Sequence, residues 1–348
     1  MRILHVIPRM GLGGAEKLAS DLMSLQKLEH VTQLCVLEYS GSLRDAIELA
    51  KCVSRLKREI KQFNPDIIHA HLWPAAMICS IACITGGIRL IVHIHDMQPN
   101  LASNGFRDRV KRGINRILLS ACDARLIAVS EAVKLYTLEH LKMHTTDIQV
   151  VRNGVAVETA RPELPDTRQR FTIGAAGRLV SEKGLDGLIR AIGLLRSEGV
   201  DIHLMIAGEG SQKAHLEELT RELELNNDVT FLGRVYDMTA FYEHIDTFVL
   251  PSISTEGMPL TILEAMSSHL PVVATNIPGI GEVVEHDQTG LLVPPGNIPA
   301  LANAIVILAR NPQLCRQMGM RGRDRVVASF SCERMASEVS AIYRSLAA

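Results

Sequence analysis

Much that would classify this chain at a glance is missing. Its seven cysteines include no Cys-x-x-Cys pair, and Cys79 and Cys83 lie on an apolar helical run where they read as packing groups. That usage fits a reducing compartment rather than a disulfide framework. Charge of neither sign dominates: 37 basic and 38 acidic residues give a formal net charge of −1, so no basic footprint calls for nucleic acid. No Asp-x-Asp occurs, and there is no internal repeat or low-complexity segment. The nearest approach to a membrane span, Leu72 to Ile88, is uncharged but broken by Pro74 and by Gly86-Gly87. Lying between two strand-like runs, it reads as a buried helix. The opening "MRILHVIPR" has too short an apolar core for a signal peptide, so a cytoplasmic location is expected.

What is present is the composition of a well-buried globular protein: 47% hydrophobic against 22% charged residues, over a length of 348 that suits two domains. Apolar strand runs at Ile3–Ile7, Gln33–Leu37, Ile67–His69, Leu90–Ile94 and Leu126–Val129 alternate with helical stretches. A polar, proline-bearing segment, Arg152 to Arg170, follows. The alternation then restarts at Phe171–Ala176, Ile202–Ala207, Val229–Phe231, Thr247–Leu250, Val272–Ala274 and Leu291–Val293. The pattern predicts α/β architecture, with two doubly wound parallel sheets joined near residues 155–168. Ligands of such sheets bind beyond the carboxyl ends of the strands, so the loops after strands carry the functional candidates.

Four of those loops hold suspicious chemistry. "GLGGAEK", Gly11 to Lys17, lets the backbone approach a ligand before a helix. It is no dinucleotide fingerprint, because Glu16 stands where the third glycine belongs; the bland reading is a tight turn. "HIHDM" places His93, His95 and Asp96 at a strand end, although a histidine there is often structural. In "AAGRLVSEKG", Arg178 and Lys183 flank a strand-to-helix turn and suit a diphosphate, or are ordinary surface charge. "STEGMPLTILEAM", Ser254 to Met266, sets Glu256 before a helix and Glu264 inside it, with Pro259 suited to the first turn. Eight helical residues span roughly 12 Å, longer than the roughly 5–9.5 Å between paired glycosidase carboxylates. Either the two glutamates grip different parts of one long ligand beside a positive helix end, or both are solvated.

In order and in combination these segments resemble the retaining glycosyltransferases of the GT-B fold that share a glutamate-x7-glutamate signature, the family 4-like group. Glu256-Gly257-Met258-Pro259 through Glu264 matches the signature in spacing and insert. The glycine loop is represented by Gly13-Gly14-Ala15-Glu16, the phosphate-binding pattern by Gly177-Arg178 and Lys183-Gly184, and the histidine before aspartate by His95-Asp96. "RNGV" (Arg152 to Val155), "AGEG" (Ala207 to Gly210), "DTFVLPS" and "DQTGLLVPPGN" fit as well, so the likeness covers nearly the whole chain.

The resemblance implies two Rossmann-like domains facing across a cleft: 1–155 on the acceptor side, with helix 331–346 crossing back, and 168–328 binding the nucleotide sugar. Arg178 and Lys183 would pair with the diphosphate, near Gly208. The helix start Gly257-Met258-Pro259-Leu260-Thr261 would add N–H donors and a dipole. Glu264 would hold the ribose and Glu256 the donor sugar; Gly13 and Gly14 would approach the diphosphate, and His95 the transferred sugar. No protein nucleophile is implied and, without Asp-x-Asp, no metal or other cofactor. The partners implied are a nucleotide-sugar donor and a saccharide or lipid-linked acceptor of cell-surface polysaccharide or lipopolysaccharide synthesis.

One departure and two rivals accompany this expectation. Between the second strand and "DIIHAH" (Asp66 to His71) only the helical run Ser42–Phe63 is found, where the family carries an additional strand. The first domain therefore reads as shortened on the side of acceptor recognition. The rivals are an epimerase or glycan phosphorylase on the same fold, and a non-catalytic sugar-nucleotide-binding protein. Finally, Gly105–Leu119 groups Val110, Ile114, Ile117 and Leu118 on one helical face and Arg109, Arg112 and Arg116 on another, with Arg107 and Lys111 nearby. It either packs its apolar face into the core or lies on an anionic membrane surface.

Overall fold

The computed structural model describes residues 1–10, 13–27, 29–39, 46–84, 87–97, 105–141, 148–157 and 170–347. Gly11 of the glycine loop, residues 42–45 of the run before β3, and 158–169 of the polar connector lie outside the described residues. The chain divides into two compact units, Met1–Gly154 with Cys332–Ala348, and Val155–Ser331.

The first unit is built on β1 (Arg2–Ile7), β2 (Val31–Val36), β3 (Ile67–His71), β4 (Arg89–Ile94), β5 (Arg125–Ala128) and β6 (Ile148–Val150), in the order β2-β1-β3-β4-β5-β6. All pairings are parallel. Helices α1 (Gly14–Gln26), α2 (Ala46–Phe63), α3 (Trp73–Cys83), α4 (Phe106–Ala121) and α5 (Glu131–Leu141) connect them. Near-continuous apolar strands such as Ile3, Leu4, Val6 and Ile7 are buried because both sheet faces are covered. The apolar run after β3 is the buried helix α3, and Cys79 and Cys83 are packing groups within it. Among the described residues only α2 stands between β2 and β3.

One strand was not foreseen, and the choice left open for α4 is decided. Strand β6 was not among the expected runs: an edge strand of three residues, paired only to β5, is too short to show a period. Helix α4 does not turn Val110, Ile114 and Ile117 to the core. It buries Asn115 and Leu119, which with Trp73 and Met77 line a small space beside α3. Phe106, Val110, Ile114 and Ile117 stay exposed, Phe106 at 81%.

The second unit repeats the plan with β7 (Phe171–Ala176), β8 (Ile202–Ala207), β9 (Val229–Gly233), β10 (Thr247–Leu250), β11 (Val272–Thr275) and β12 (Gly290–Val293), in the order β12-β11-β10-β7-β8-β9. These pairings are parallel too. Helices α6 (Leu185–Ser197), α7 (Lys213–Glu222), α8 (Met238–Glu243), α9 (Leu260–Ser267), α10 (Ile298–Ala309) and α11 (Pro312–Ser329) cover it. The order reverses between β1 and β3 in the first unit and between β7 and β10 in the second. Those reversals are where doubly wound sheets open a crevice at the strand ends.

The terminal helix α12 (Cys332–Ala347) belongs to the first unit. Met335, Val339, Ile342 and Tyr343 are buried, the Tyr343 hydroxyl is 2.6 Å from Nδ1 of His69, and Arg344 pairs with Glu29 at 3.0 Å. Ser331, just before this helix, bridges Val155 within the second unit, so the chain changes units between Ser331 and Cys332.

Candidate functional site

In the second unit the reversal point is furnished from both sides. After β7 the chain passes Gly177 and Arg178, makes a short 3₁₀ turn at Ser181–Lys183, and enters α6 through Gly184. Gly184 has φ of +63°, and a Cβ there would collide with the carbonyl of Pro251. That contact locks the Lys183 turn onto the loop after β10, and Ile253 N–H donates to the Glu182 carbonyl at 2.9 Å. Lys183 Nζ thereby lies 2.6 Å from Glu256 Oε1, with both side chains mostly buried. Ser252 Oγ donates to the same oxygen at 2.6 Å, and Thr275 Oγ1 donates to the Ser252 carbonyl at 2.6 Å. Arg178 is exposed and, among the described residues, has no ion-pair partner.

Helix α9 begins at Leu260 with Pro259 as its N-cap, one position earlier than the first-turn placement expected for the proline. No side chain caps it, so its first N–H groups and dipole face the loop that carries Glu256. Gly257, Met258 and Pro259 are buried, while Leu260 and Thr261 are half-buried. One turn further on, Glu264 Oε2 accepts from the Tyr242 hydroxyl at 2.9 Å. Burial, then the charge of Glu264, push the Tyr242 phenol well above its ordinary value, so it stays a donor. Gly208 lies beside Gly177 after β8: a Cβ at 208 would collide with the Gly177 carbonyl, and Gly208 N–H donates to Gly233 at 2.7 Å.

In the first unit, Gly13 caps α1 with extended backbone (φ −78°, ψ 160°) and no side-chain cap, and Gly14 opens the helix. The carboxylate of Glu16, third residue of α1, folds back against Gly13, so a side chain there would have to displace it. His95 follows β4, and its Nε2 is 3.2 Å from Nδ1 of His71 at the end of β3. The Nε2 of His71 is 3.1 Å from Nδ1 of His5 on β1. Burial lowers the pKa of His5 and of His95 to about 3, and those of His69, His71 and His93 well below the usual value, so the cluster is neutral at neutral pH.

The structure thus brings Lys183 and Glu256 into contact, sets Glu264 in the same helix-end region and leaves Arg178 beside them. It places Gly13, Gly14 and His95 in the other unit. Sequence reasoning missed Tyr242, Ser252 and Gly279, whose Cβ would strike the carbonyls of Glu256 and Gly257. A tyrosine eight residues before a strand end carries no local signal. It also missed His5 and His71, which were legible: histidines sit on three strands at matching registers, His5 opposite His69 and His71 opposite His93.

Residues 157–325 match the family model of glycosyl transferases group 1, and residues 13–159 match that of glycosyltransferase family 4. The chain belongs to this glycosyltransferase family. An uncharacterized glycosyltransferase of Haemophilus influenzae is 29% identical over 275 residues, which is 77% of this chain and 74% of that protein. Sucrose-phosphate synthase of Thermosynechococcus elongatus superimposes with a TM-score of 0.86 at 21% identity, covering 99% of this chain and 98% of that one. HepE of Anabaena, solved with UDP-glucose, gives 0.84 at 22% identity, covering 99% and 100%. At such identities these structures establish the GT-B fold. Among the described residues, no helix of this glycosyltransferase is long and apolar enough to cross a membrane.

Proposed function

We propose that this glycosyltransferase moves a sugar from a nucleoside diphosphate to a saccharide or lipid-linked acceptor of cell-surface polysaccharide or lipopolysaccharide synthesis, with retention of configuration and without a metal. The observation that carries the reading is the Lys183–Glu256 pair at the β7/β10 reversal, next to the uncapped start of α9, with Glu264 held by Tyr242 one turn inside. A cation, free N–H groups and a helix dipole converge where a diphosphate needs them. The two glutamates accept from hydroxyls on either side of it, Glu264 from the ribose and Glu256 from the sugar. HepE, bound to UDP-glucose, is a precedent for the donor class. The roles of Gly13, Gly14, Gly208 and His95 rest on the family resemblance.

In this scheme the bond from the anomeric carbon to the diphosphate oxygen breaks first, giving an oxocarbenium-like sugar. The acceptor oxygen attacks on the same face, and the departing phosphate oxygen takes the acceptor's proton. Lys183 gives up its contact with Glu256 for the diphosphate, which frees the carboxylate for sugar hydroxyls. A panel of nucleotide sugars, each assayed with and without saccharide acceptors, tests the reading. Nucleoside diphosphate released only with acceptor, product of unchanged anomeric configuration by NMR, and turnover undiminished by chelator are expected. An epimerised sugar, a sugar phosphate, or binding without turnover would instead favour the rival functions.

A second reading, attachment to the cytosolic face of a membrane, is favoured by α4. Its apolar stripe Phe106, Val110, Ile114 and Ile117 is exposed, and so are Arg109, Lys111 and Arg116. Each basic residue near an anionic surface is worth about 1 kcal/mol. Sedimentation with anionic vesicles at low salt, lost at high salt and in an Arg109→Glu, Arg116→Glu variant, is the expected result.

A further inference from the structure

Five imidazoles, of His5, His69, His71, His93 and His95, share one face of the first unit's sheet, with adjacent ring centroids 4.4–5.6 Å apart. Hydrogen bonding accounts for part of this group only. His69 Nδ1 meets the Tyr343 hydroxyl, and His71 lies between His5 and His95. Both ring nitrogens of His93 are buried without a partner, on a side chain that is fully enclosed. A buried polar atom with no partner costs about 1–3 kcal/mol, and His93 has two.

One nitrogen from each of His71, His93 and His95 lies within 4.8 Å of the others. The His71 Nδ1 to His95 Nε2 distance, 3.2 Å, is close to the roughly 3.3 Å edge between two nitrogens bound to one tetrahedral zinc at about 2.05 Å. We infer that His71, His93 and His95 form a binding site for a divalent late transition-metal ion, zinc by chemical preference. The wider His93 edge closes by rotation of that ring, which gives a ligand role to an orphaned nitrogen.

The surroundings suit ligation. With the metal on Nδ1 of His71, its Nε2–H is directed at Nδ1 of His5, 3.1 Å away, which is the outer-shell bond that orients a metal-bound imidazole. Burial keeps the rings neutral, and neutral imidazole is the ligating form. Three imidazoles with no carboxylate select zinc, copper or nickel over magnesium or calcium. His95 is half-buried, so the ion enters and takes a fourth, water-derived ligand at that end; metal-bound water ionises near neutrality and supplies a compensating hydroxide. The alternative grouping of His5, His69 and His71 is enclosed on all sides and offers no such entry.

One consequence rests on the proposed function: an ion that holds His95 withdraws it from the sugar, so zinc should inhibit transfer and chelator relieve it. Metal uptake is measured without turnover, so failure of either idea is distinguishable. Tag-free protein, stripped with chelator and dialysed, is titrated with Co²⁺ and Zn²⁺ at neutral pH. One equivalent of Co²⁺ with the visible absorption of a four- or five-coordinate nitrogen site, displaced by Zn²⁺, is expected. His93→Gln and His95→Ala should each weaken binding by more than about 100-fold, while His286→Ala on the surface of the other unit leaves it unchanged. Should His93→Gln fail to fold, His95→Ala at the half-buried end decides alone. No stoichiometric uptake by the parent, or equal uptake by folded His95→Ala, overturns the site and leaves the cluster as a hydrogen-bonded chain only.

Discussion

The two units are both six-stranded parallel sheets, differing in where the third strand lies, and they accommodate inward polar groups in opposite ways. The first unit inserts neutral imidazoles: His5, His30, His69, His71 and His93 are all buried. The second uses paired charges, with Lys183 against Glu256 and Arg170 against Asp201 and Asp228, each pair at 2.6 Å. Among its described residues no histidine is buried. A neutral ring is tolerated inside a sheet without a counter-ion, so imidazoles can gather there as a five-ring cluster. A buried ammonium needs its carboxylate, so Lys183 and Glu256 arrive together. The two solutions respond differently to acid, to mutation and to loss of a hydroxyl.

Acid should separate them most. A histidine held below its unfolded value near 6.5 leaves the unfolded chain binding more protons, so stability is lost as pH falls through 6.5, toward about 3 for His5 and His95. Each such group contributes up to about 1.4 kcal/mol per pH unit in that window. Five together make a loss of several kcal/mol between pH 7 and 5.5 in metal-free protein. Hydrogen exchange should show β1, β3 and β4 losing protection over that range while β7, β10 and β11 keep theirs. Equal loss in both sheets would erase the contrast.

How much of this was legible follows the same division. The charges were readable because the motif fixes them in local order: Arg178, Lys183 and Glu256 each sit at a strand-to-helix turn, and Glu264 lies one turn into the helix that follows. Their pairing was not, since contact of Lys183 with Glu256 depends on which strands adjoin, and β7 meets β10 only through the reversal. The strands of the second unit were legible throughout: β10 and β11 are buried on both faces, and even the half-exposed edge strand β9 carries an apolar run. In the first, three-residue β6 escaped notice, and α4 stayed open between a core face and an exposed one because an apolar stripe reads alike in both. The imidazole cluster was written in "LHV", "HAH" and "HIH", yet only the registers of three strands turn those repeats into one group.

Loss of a charge should be next in size, and confined to catalysis. Removing one preorganised charge stabiliser costs about 2.7–4 kcal/mol, or 10²–10³ in rate. Lys183→Ala and Arg178→Ala should lose turnover on that scale while the first unit's acid response stays as in the parent. Lys183→Ala also leaves Glu256 with Ser252 as its remaining partner, so some loss of second-unit stability should accompany it, whereas exposed Arg178 should show none. Near-parent turnover by either folded variant removes its diphosphate role. Between the glutamates, Glu256→Gln should lower kcat, and Glu264→Gln should chiefly weaken binding of free nucleoside diphosphate, because a ribose contact is alike in ground and transition states. Unchanged nucleotide affinity in Glu264→Gln would sink the ribose assignment.

The smallest effects offer the closest comparison, because each unit buries one tyrosine whose hydroxyl serves a site residue. Tyr343 meets neutral His69 at 2.6 Å, and Tyr242 donates to the Glu264 carboxylate at 2.9 Å. A neutral hydrogen bond contributes about 0.5–1.5 kcal/mol, and one to a charged group about 1.5–3 kcal/mol. Tyr343→Phe should therefore cost about 1 kcal/mol of stability, with no change in nucleotide affinity. Tyr242→Phe should cost about 2 kcal/mol and also weaken nucleotide binding several-fold, because Glu264 loses the hydroxyl that orients its Oε2. Denaturant unfolding of both variants beside titration with free nucleoside diphosphate reads the two quantities separately. If Tyr343→Phe proves the more damaging, the terminal helix holds the imidazole cluster together more tightly than the neutral bonds of Tyr343 to His69 and Gln26 explain. If Tyr242→Phe leaves nucleotide affinity intact, Glu264 is positioned without that hydroxyl.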